Sequence, residues 1–262
     1  GVDYGRAASD LPANQVSRAI NATFRGGYPR SRPKIKRITF TTDMFADPAL
    51  AFYRFQGAGG YVDDDGVGSI FLSLEGELFR IDVESSAPRC ARVHGDELKN
   101  NPNRERCAFV QAENFLIVQD GQSNAWIWDG IALTRAGDGQ IPVGDVMAYG
   151  IGRLWVANGN AYYGGYLVNS DPALGRASLL RFTENDYLSE GGAFSVAGRG
   201  SAITGMAFPA RNGTVSGEGS LMVFTRDGIW EFSAPVDRDV WKDLQRPIQT
   251  YALLDYGATS HE

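Results

Sequence analysis

The residues able to carry acid–base or metal chemistry are few and widely spaced in this chain. It has two histidines, His94 and His261, and no G-x-S-x-G pattern that would present a serine nucleophile on a strained turn. No pair of His, Cys or carboxylate residues falls at a metal-ligand spacing on one predicted element. The glycine-rich stretch Gly137–Gly144 lacks the Lys-Ser/Thr of a phosphate-binding loop. The sequence therefore predicts no catalytic residue, no metal site and no cofactor, and we expect a protein that is not an enzyme.

Acidic residues are numerous, but their spacing selects no site. The run Asp63–Gly66 has three consecutive aspartates, whereas an EF-hand loop alternates its ligands and ends in a glutamate at position 12. We therefore expect a plain acidic turn there. Glycoside hydrolysis needs two carboxylates at a defined separation. With 31 acidic residues, the sequence alone offers no basis for choosing such a pair.

Cys90 and Cys107 are the only cysteines. Two are too few for a disulfide scaffold, and their spacing matches no zinc pattern. We favour two reduced, partly buried thiols, and a single bridge between them stays open as the alternative.

Four tryptophans, Trp126, Trp128, Trp155 and Trp230, fall on predicted strands. They would form either a stacking platform for sugars or bases or the packing between sheets. A buried aromatic side chain contributes about 150–250 Å² of contact area. Because the packing between stacked sheets buries such residues, we favour a core role for these tryptophans.

The elements that would position these residues are repeated β-hairpins. Each combines an apolar strand, a glycine-containing turn and a strand rich in aromatic or β-branched residues. The hairpins span Ser69–Val83, Phe115–Gly130, Ile151–Tyr163 and Ser220–Ala234. Their turn glycines, Gly76, Gly121, Gly159 and Gly228, are 45, 38 and 69 residues apart. The first two intervals approach the length of a propeller blade, and the third fits one blade plus an insertion at Tyr166–Gly200.

The sequence thus predicts an all-β fold: a β-propeller built from repeated antiparallel hairpins, with an extended N-terminal arm and one long inserted loop. We assign residues 1–37 to the arm and residues 38–262 to the propeller-like domain, incomplete at its C-terminus. Within the domain we expect a type I′ turn at Asp227-Gly228 and a strand at Leu179–Phe182. We also expect a short helix at Arg238–Gln245 and a strand at Ile248–Leu254 that begins the next blade.

A basic strip lies at the end of the arm. Its members are Arg25, Arg30, Arg32, Lys34, Lys36 and Arg37. Pro29 and Pro33 favour an extended backbone there. The strip would contact DNA or an acidic neighbour, or it is a solvated strand. The net charge of −6 disfavours a protein that holds nucleic acid through counterion release. No apolar run approaches the roughly 20 residues of a membrane helix, so we expect no membrane anchor.

The arm also carries the motifs of a resemblance. These are Leu11–Gln15 (LPANQ), Asn21–Pro29 (NATFRGGYP) and Arg32-Pro33, followed by the run of hairpins. In this order they resemble bacteriophage tail and neck structural proteins, and the nearest type is the tail tubular, or nozzle, protein of short-tailed phages. The stretches Gly152–Ala157 and Ser220–Val223 are similar to its blade strands. Lys34 departs from the pattern, since a glycine is frequent at that place.

The resemblance implies a non-enzymatic virion component, located in the tail or neck and assembled in the host cytoplasm. Such proteins form homohexameric rings below the portal or adaptor and contact other tail proteins. The ring is a conduit for genome ejection, through which DNA passes without sequence-specific binding. We place the ring contacts on the arm and on Tyr166–Gly200. Two alternatives stay open: a glycan-binding or glycan-degrading propeller for host-surface recognition, and a generic protein-interaction propeller.

Overall fold

The computed structural model describes residues 53–83, 88–93, 98–183, 201–209 and 219–233, together with the strands at 22–23, 30–31, 192–195 and 245–249. The chain divides into two compact units, Gly1–Thr39 and Phe40–Glu262. In the first unit, β1 (Ala22–Thr23) pairs antiparallel with β2 (Arg30–Ser31). Arg30 of the basic strip thus lies in β2. The other members, Arg25, Arg32, Lys34, Lys36 and Arg37, lie outside the described residues, as do His94 and His261.

The second unit contains, within the described residues, four successive four-stranded antiparallel sheets. Blade 1 comprises β3 (Phe55–Val62), β4 (Gly68–Leu74), β5 (Glu77–Asp82) and β6 (Arg89–Arg92). Blade 2 comprises β7 (Ala108–Ala112), β8 (Phe115–Gln119), β9 (Trp126–Trp128) and β10 (Leu133–Arg135). Blade 3 comprises β11 (Val146–Gly150), β12 (Arg153–Asn158), β13 (Ala161–Gly164) and β14 (Gly192–Ser195). Blade 4 comprises β15 (Ile203–Ala207), β16 (Leu221–Thr225), β17 (Ile229–Phe232) and β18 (Gln245–Gln249).

Each blade is a simple meander in which every strand pairs with the next one in the chain. The expected all-β, propeller-like architecture of repeated antiparallel hairpins is therefore confirmed. The four predicted hairpins form the second and third strands of the four blades. These central strands pack against neighbouring sheets, so they carry the strongest apolar pattern: every residue of β8 and β9 is buried. Three of the four residues of the outer strand β6 are exposed, which explains why its sequence gives a weak signal.

The first strands of the blades lie innermost and follow one another. β3 contacts β7, β7 contacts β11, and β11 contacts β15. The approach of β3 to β7 is close, because a Cβ atom on Gly59 would lie 2.6 Å from Cβ of Phe109. No contact of similar extent joins β15 back to β3 among the described strands. The described part of the chain is therefore a series of four blades whose first strands contact one another in order.

The turn of the fourth hairpin differs from the type I′ turn that adjacent Asp-Gly residues favour. In this hairpin, the Thr225 N–H donates a hydrogen bond to the carbonyl oxygen of Gly228 at 2.9 Å. The two central residues of the turn are therefore Arg226 and Asp227. The prediction of Asp227-Gly228 is wrong by one residue. The Thr225 hydroxyl also accepts a hydrogen bond from the Gly228 N–H at 3.1 Å. This side-chain contact fixes the turn without a left-handed glycine.

The inserted stretch ends earlier than its composition predicts. β14 pairs with β13 and completes blade 3, so the insertion lies between Gly164 and Gly192. The strand expected at Leu179–Phe182 is wrong. A 3-10 helix spans Gly175–Leu180, and Arg181 then forms an isolated bridge to Gln140. Leu179 and Leu180 are buried against blades 2 and 3, and their apolar pattern suits a helical turn on a sheet as well as a strand.

The strand expected at Ile248–Leu254 as the start of a further blade is also corrected. β18 covers Gln245–Gln249 and pairs with β17 as the outermost strand of blade 4. Residues 250–254 lie outside the described residues, as do residues 238–244 of the expected helix.

Candidate interaction surface

The tryptophans form no exposed platform among the described residues. Trp126 and Trp128 are buried between blades 1 and 2, where the Trp128 ring lies 5.4 Å from Phe71, centroid to centroid. Trp155 is buried between blades 3 and 4, and its ring centroid lies 5.6 Å from that of Phe232. Trp230 is half-buried against the same cluster. The predicted core role of these side chains is confirmed, and it leaves them little surface for stacking on a sugar or a base.

The acidic run Asp63–Gly66 is a turn, as expected. The Asp63 carboxylate accepts hydrogen bonds from the N–H groups of Asp65 at 3.1 Å and Val67 at 2.8 Å. Gly66 has a left-handed φ of 83°. The Asp63 carboxylate is thus engaged in the turn itself. Among the described residues, no group of three or more His, Cys, Asp or Glu side chains is placed to hold a metal ion.

Both cysteines are buried as free thiols. Burial raises the pKa of the Cys90 thiol to about 11. Burial also raises the pKa of Cys107, whose sulfur lies 3.4 Å from Oγ of Ser73. Neither thiol is therefore a thiolate near neutral pH, and neither has the electropositive, accessible setting of a reactive cysteine.

The buried carboxylate of Asp120 caps backbone N–H groups in the loop between β8 and β9. Its carboxylate accepts hydrogen bonds from the N–H groups of Gln122 at 2.8 Å and Ser123 at 2.7 Å, and from the Ser123 hydroxyl at 2.9 Å. Burial by itself raises the pKa of Asp120, but these hydrogen bonds outweigh it and leave the pKa below its ordinary value. The group is a loop cap and not a general base.

A second partly buried charge, Arg135, fixes the connection between blades 1 and 2. Its guanidinium donates to Oδ1 of Asn100 at 2.5 Å and to the carbonyl oxygens of Asn124, Leu98 and Lys99 at 2.6, 2.7 and 2.9 Å. It also lies 5.0 Å from the centroid of the Trp126 ring. The planar fork of an arginine suits this set of acceptors, so the residue has a structural role.

The sheet face of blade 1 that points away from blade 2, here called the outer face of blade 1, is apolar. Strand register places three residues of β4 on it, Ile70, Leu72 and Leu74. Phe79 and Ile81 of β5 lie opposite Leu72 and Ile70 on the same face. Phe79, Ile81 and Cys90 form a buried cluster there, and Leu72 and Leu74 pack against it.

Exposed hydrophobic side chains concentrate on this face. Four of the five large ones among the described residues belong to it: Phe55 at 60% exposure, Val62 at 50%, Ile70 at 39% and Val83 at 44%. The fifth, Ile131 at 88%, lies on the turn between β9 and β10. Phe55 and Val62 lie at the two ends of β3, so the exposed side chains mark the margins of a face whose middle is buried.

Blade 4 has a corresponding face that points away from blade 3, here called the outer face of blade 4. Leu221, Val223 and Phe232 pack toward blade 3, so the alternating residues Met222 and Phe224 point the other way. Ile229 lies opposite Phe224 and shares that side. All three residues on the outer face are half-buried and apolar.

The buried cluster on the outer face of blade 1 was not predicted from the sequence. The alternation of Ile70, Leu72 and Leu74 is visible, but a local pattern does not show which of these side chains are covered in the folded unit. Within the described residues, no helix has the length and apolar character needed to cross a membrane.

No family model matches the chain, and no curated protein matches it. Among solved structures, the chain is similar to a crystal structure of BBS1N in complex with ARL6DN, soaked with lead. The TM-score is 0.45 and the sequence identity is 12%, and the match covers 86% of this chain and 59% of that chain. It is also similar to the same complex soaked with mercury, with a TM-score of 0.45 and 10% identity over 77% of this chain and 59% of that chain. In both cases the chain spans less than two thirds of the matched chain.

Proposed function

We propose that this chain is a protein-interaction propeller that works as a structural assembly module and not as an enzyme. The observation that carries the proposal is the set of exposed hydrophobic side chains at the margins of the outer face of blade 1: Phe55, Val62, Ile70 and Val83. Covering a Val, Ile or Phe side chain completely contributes about 1.5–3 kcal/mol. Four side chains that are about half exposed therefore offer about 3–6 kcal/mol toward association before its entropic cost.

The polar groups support the same function. Asp120 and Arg135 are engaged in fixing loops. Both cysteines are buried, which keeps their thiols from acting as nucleophiles. A rigid scaffold of this kind suits assembly, since its surfaces are held in place by the blades beneath them.

The experiment is the particle mass of the purified chain, measured by light scattering from about 1 to about 100 μM. We expect a mass that rises above that of one chain with concentration. Ile70→Asp puts a charge on the face that is to be covered and should return the particle to one chain. Ile131→Asp is the matched control, because Ile131 is the exposed hydrophobic residue outside the face, and it should assemble like the wild type. Assembly that survives Ile70→Asp, or a wild-type chain that is monomeric throughout, contradicts the proposal.

A narrower proposal follows from the resemblance of the arm: a homohexameric conduit in the tail or neck of a phage virion, joined to portal or adaptor and other tail proteins. What favours it is the order in which the arm motifs precede the hairpins, and the exposed hydrophobic side chains of blade 1 are candidates for a contact between subunits of a ring. Negative-stain images of the concentrated chain should contain rings of six subunits around a pore. A monomer that binds a glycan array would instead favour the host-recognition alternative.

A further inference from the structure

We propose that Asn158 is a site of spontaneous deamidation, and that the reaction loosens the contact between blades 3 and 4. The reaction uses the backbone nitrogen of Gly159 and a water molecule, so it requires no second protein. Asn158 is the last residue of β12 and lies opposite Ala161, the first residue of β13, across a two-residue turn. The site is independent of the proposed assembly function.

The chemistry is a substitution at the side-chain amide of Asn158. The Gly159 nitrogen gives its proton to a solvent base and bonds to Cγ of Asn158. The bond from Cγ to Nδ2 breaks, the departing nitrogen takes up a proton, and ammonia leaves behind a cyclic succinimide. Water then opens the ring at either carbonyl carbon. One opening gives aspartate, and the other gives isoaspartate, in which the main chain runs through Cβ and Cγ.

The first observation is that the attacking nitrogen is accessible. Gly159 has no side chain, and a Cβ atom built on it would meet nothing within 4 Å. Its N–H donates no hydrogen bond to any part of the chain that the structure describes. Asn158 and Gly159 are both exposed. Solvent base therefore reaches this nitrogen, and no acceptor has to be displaced before it reacts. The second Asn-Gly pair of the chain, Asn212-Gly213, lies outside the described residues.

The second observation is that other asparagines have an unsuitable nitrogen after them. Asn101 is followed by Pro102, which has no N–H to lose. The nitrogen that follows Asn169 donates a hydrogen bond to the carbonyl oxygen of Leu167 at 3.1 Å. Asn101 and Asn169 are therefore internal references against which the reaction at Asn158 can be measured.

The third observation is that both residues of the pair contact neighbouring elements. Nδ2 of Asn158 donates to the carbonyl oxygen of Val143 at 3.1 Å, in the connection from β10 to β11. The Gly159 carbonyl oxygen accepts a hydrogen bond from the Ile203 N–H at 2.7 Å, in the first strand of blade 4. The product carboxylate has no N–H to donate and would face the Val143 oxygen. Isoaspartate also lengthens the main chain just before Gly159, which shifts the oxygen that Ile203 binds.

The first experiment follows the purified chain during incubation in mildly alkaline buffer. Peptide mass spectrometry quantifies the change from amide to carboxyl at Asn158, Asn101 and Asn169. We expect conversion of the folded chain at Asn158 to exceed that at either reference by about tenfold or more. Asn158→Gln keeps the amide but requires a larger ring, and it should yield almost no product at this position. Conversion no faster than at Asn169, or conversion at Asn158 that occurs only in urea, overturns the proposal.

The second experiment measures the effect on blade 4. Asn158→Asp reproduces one product, whereas Asn160→Asp places the same charge in the turn and leaves the Asn158 amide in place. Amide hydrogen exchange at Ile203 should be severalfold faster in Asn158→Asp and unchanged in Asn160→Asp. Equal exchange in the two variants contradicts the loosening of the contact. If Asn158→Asp does not fold, aged wild-type chain separated by its additional charge gives the same comparison with fresh protein.

Discussion

Arg176, on the 3-10 helix of the inserted stretch, binds Asp64, which lies 112 residues earlier in the turn between β3 and β4. Nη1 of the arginine lies 2.7 Å from Oδ1 and 2.9 Å from Oδ2 of the aspartate. The insertion in blade 3 is thereby joined to blade 1. Both side chains are exposed, and exposed ion pairs contribute little to global stability because water and salt screen them. The pair therefore positions the insertion locally.

Replacing Arg176 with glutamine should loosen the 3-10 helix without destabilising the blades. We expect an unchanged urea midpoint and faster amide hydrogen exchange within Gly175–Leu180. Arg181→Gln is the control, since Arg181 is an exposed arginine of the same stretch that holds its place through backbone bonds to Gly175–Leu180 and Tyr166. A large drop in the urea midpoint, or exchange that matches the control, would show that the ion pair does not act in this way.

Gly59 should be required for the packing of blade 1 on blade 2, and its neighbour Gly60 should not. A Cβ atom at Gly59 would lie 2.6 Å from Cβ of Phe109, whereas one at Gly60 meets nothing within 4 Å. Gly59→Ala therefore forces β3 and β7 apart, and we expect a loss of about 1–3 kcal/mol in the free energy of unfolding. Gly60→Ala should be close to neutral. Equal effects in urea unfolding would contradict the observed approach of the two strands.

Asp120 should give the protein a pH-dependent stability. The pKa of Asp120 is lowered in the folded state, because hydrogen bonds from Ser123 and Gln122 favour the carboxylate despite its burial. A lowered pKa contributes stability above the unfolded pKa, and that contribution is lost as the pH falls through the folded pKa. The unfolding free energy of the wild type should exceed that of Asp120→Asn at neutral pH, and the difference should shrink steadily in acid.

The control for this titration is Asp138→Asn, since Asp138 is exposed. Its stability relative to the wild type should change little between neutral and acidic pH. A difference between the wild type and Asp120→Asn that stays constant across this range would contradict the role of the loop cap.

The two thiols should be unreactive toward disulfide reagents in the folded protein. Cys90 and Cys107 are buried and free, and burial raises the pKa of both. The thiolate is the species that reacts with such reagents. A colorimetric thiol assay near pH 8 should therefore detect almost no thiol groups in the native protein and two thiol groups per chain in denaturant. Detection of none in denaturant without reductant would instead show that the cysteines are paired.

The hairpins were predictable because turn chemistry and strand alternation are local. Glu75 and Gly76 both adopt left-handed φ values, 51° and 78°, as a type I′ turn requires. The fourth hairpin differed because the Thr225 hydroxyl competes for the Gly228 N–H, a contact that a turn dipeptide does not encode. β14 was missed because its pairing with β13 bridges the insertion, and the four residues of the strand are too few for a periodic signal.

The candidate surface was less predictable than the fold. Ile70, Leu72 and Leu74 have the same alternation as residues that are covered in other blades. Leu72 and Leu74 pack against a buried cluster whereas Ile70 stays exposed, and this difference depends on the packing of the whole unit. The basic strip that the sequence singled out lies mostly outside the described residues, and its contact with DNA or with an acidic neighbour stays a prediction.

Chemical footprinting of side chains tests the central claim most directly. The wild-type chain is labelled at low concentration, where it is monomeric, and at high concentration, where it is assembled, and modification of Phe55, Ile70 and Ile131 is quantified by mass spectrometry. We predict that assembly lowers the labelling of Phe55 and Ile70 severalfold and leaves that of Ile131 unchanged. If the particle mass rises but the labelling of Phe55 and Ile70 stays the same in both states, the assignment of these exposed side chains of blade 1 to the assembly surface is contradicted.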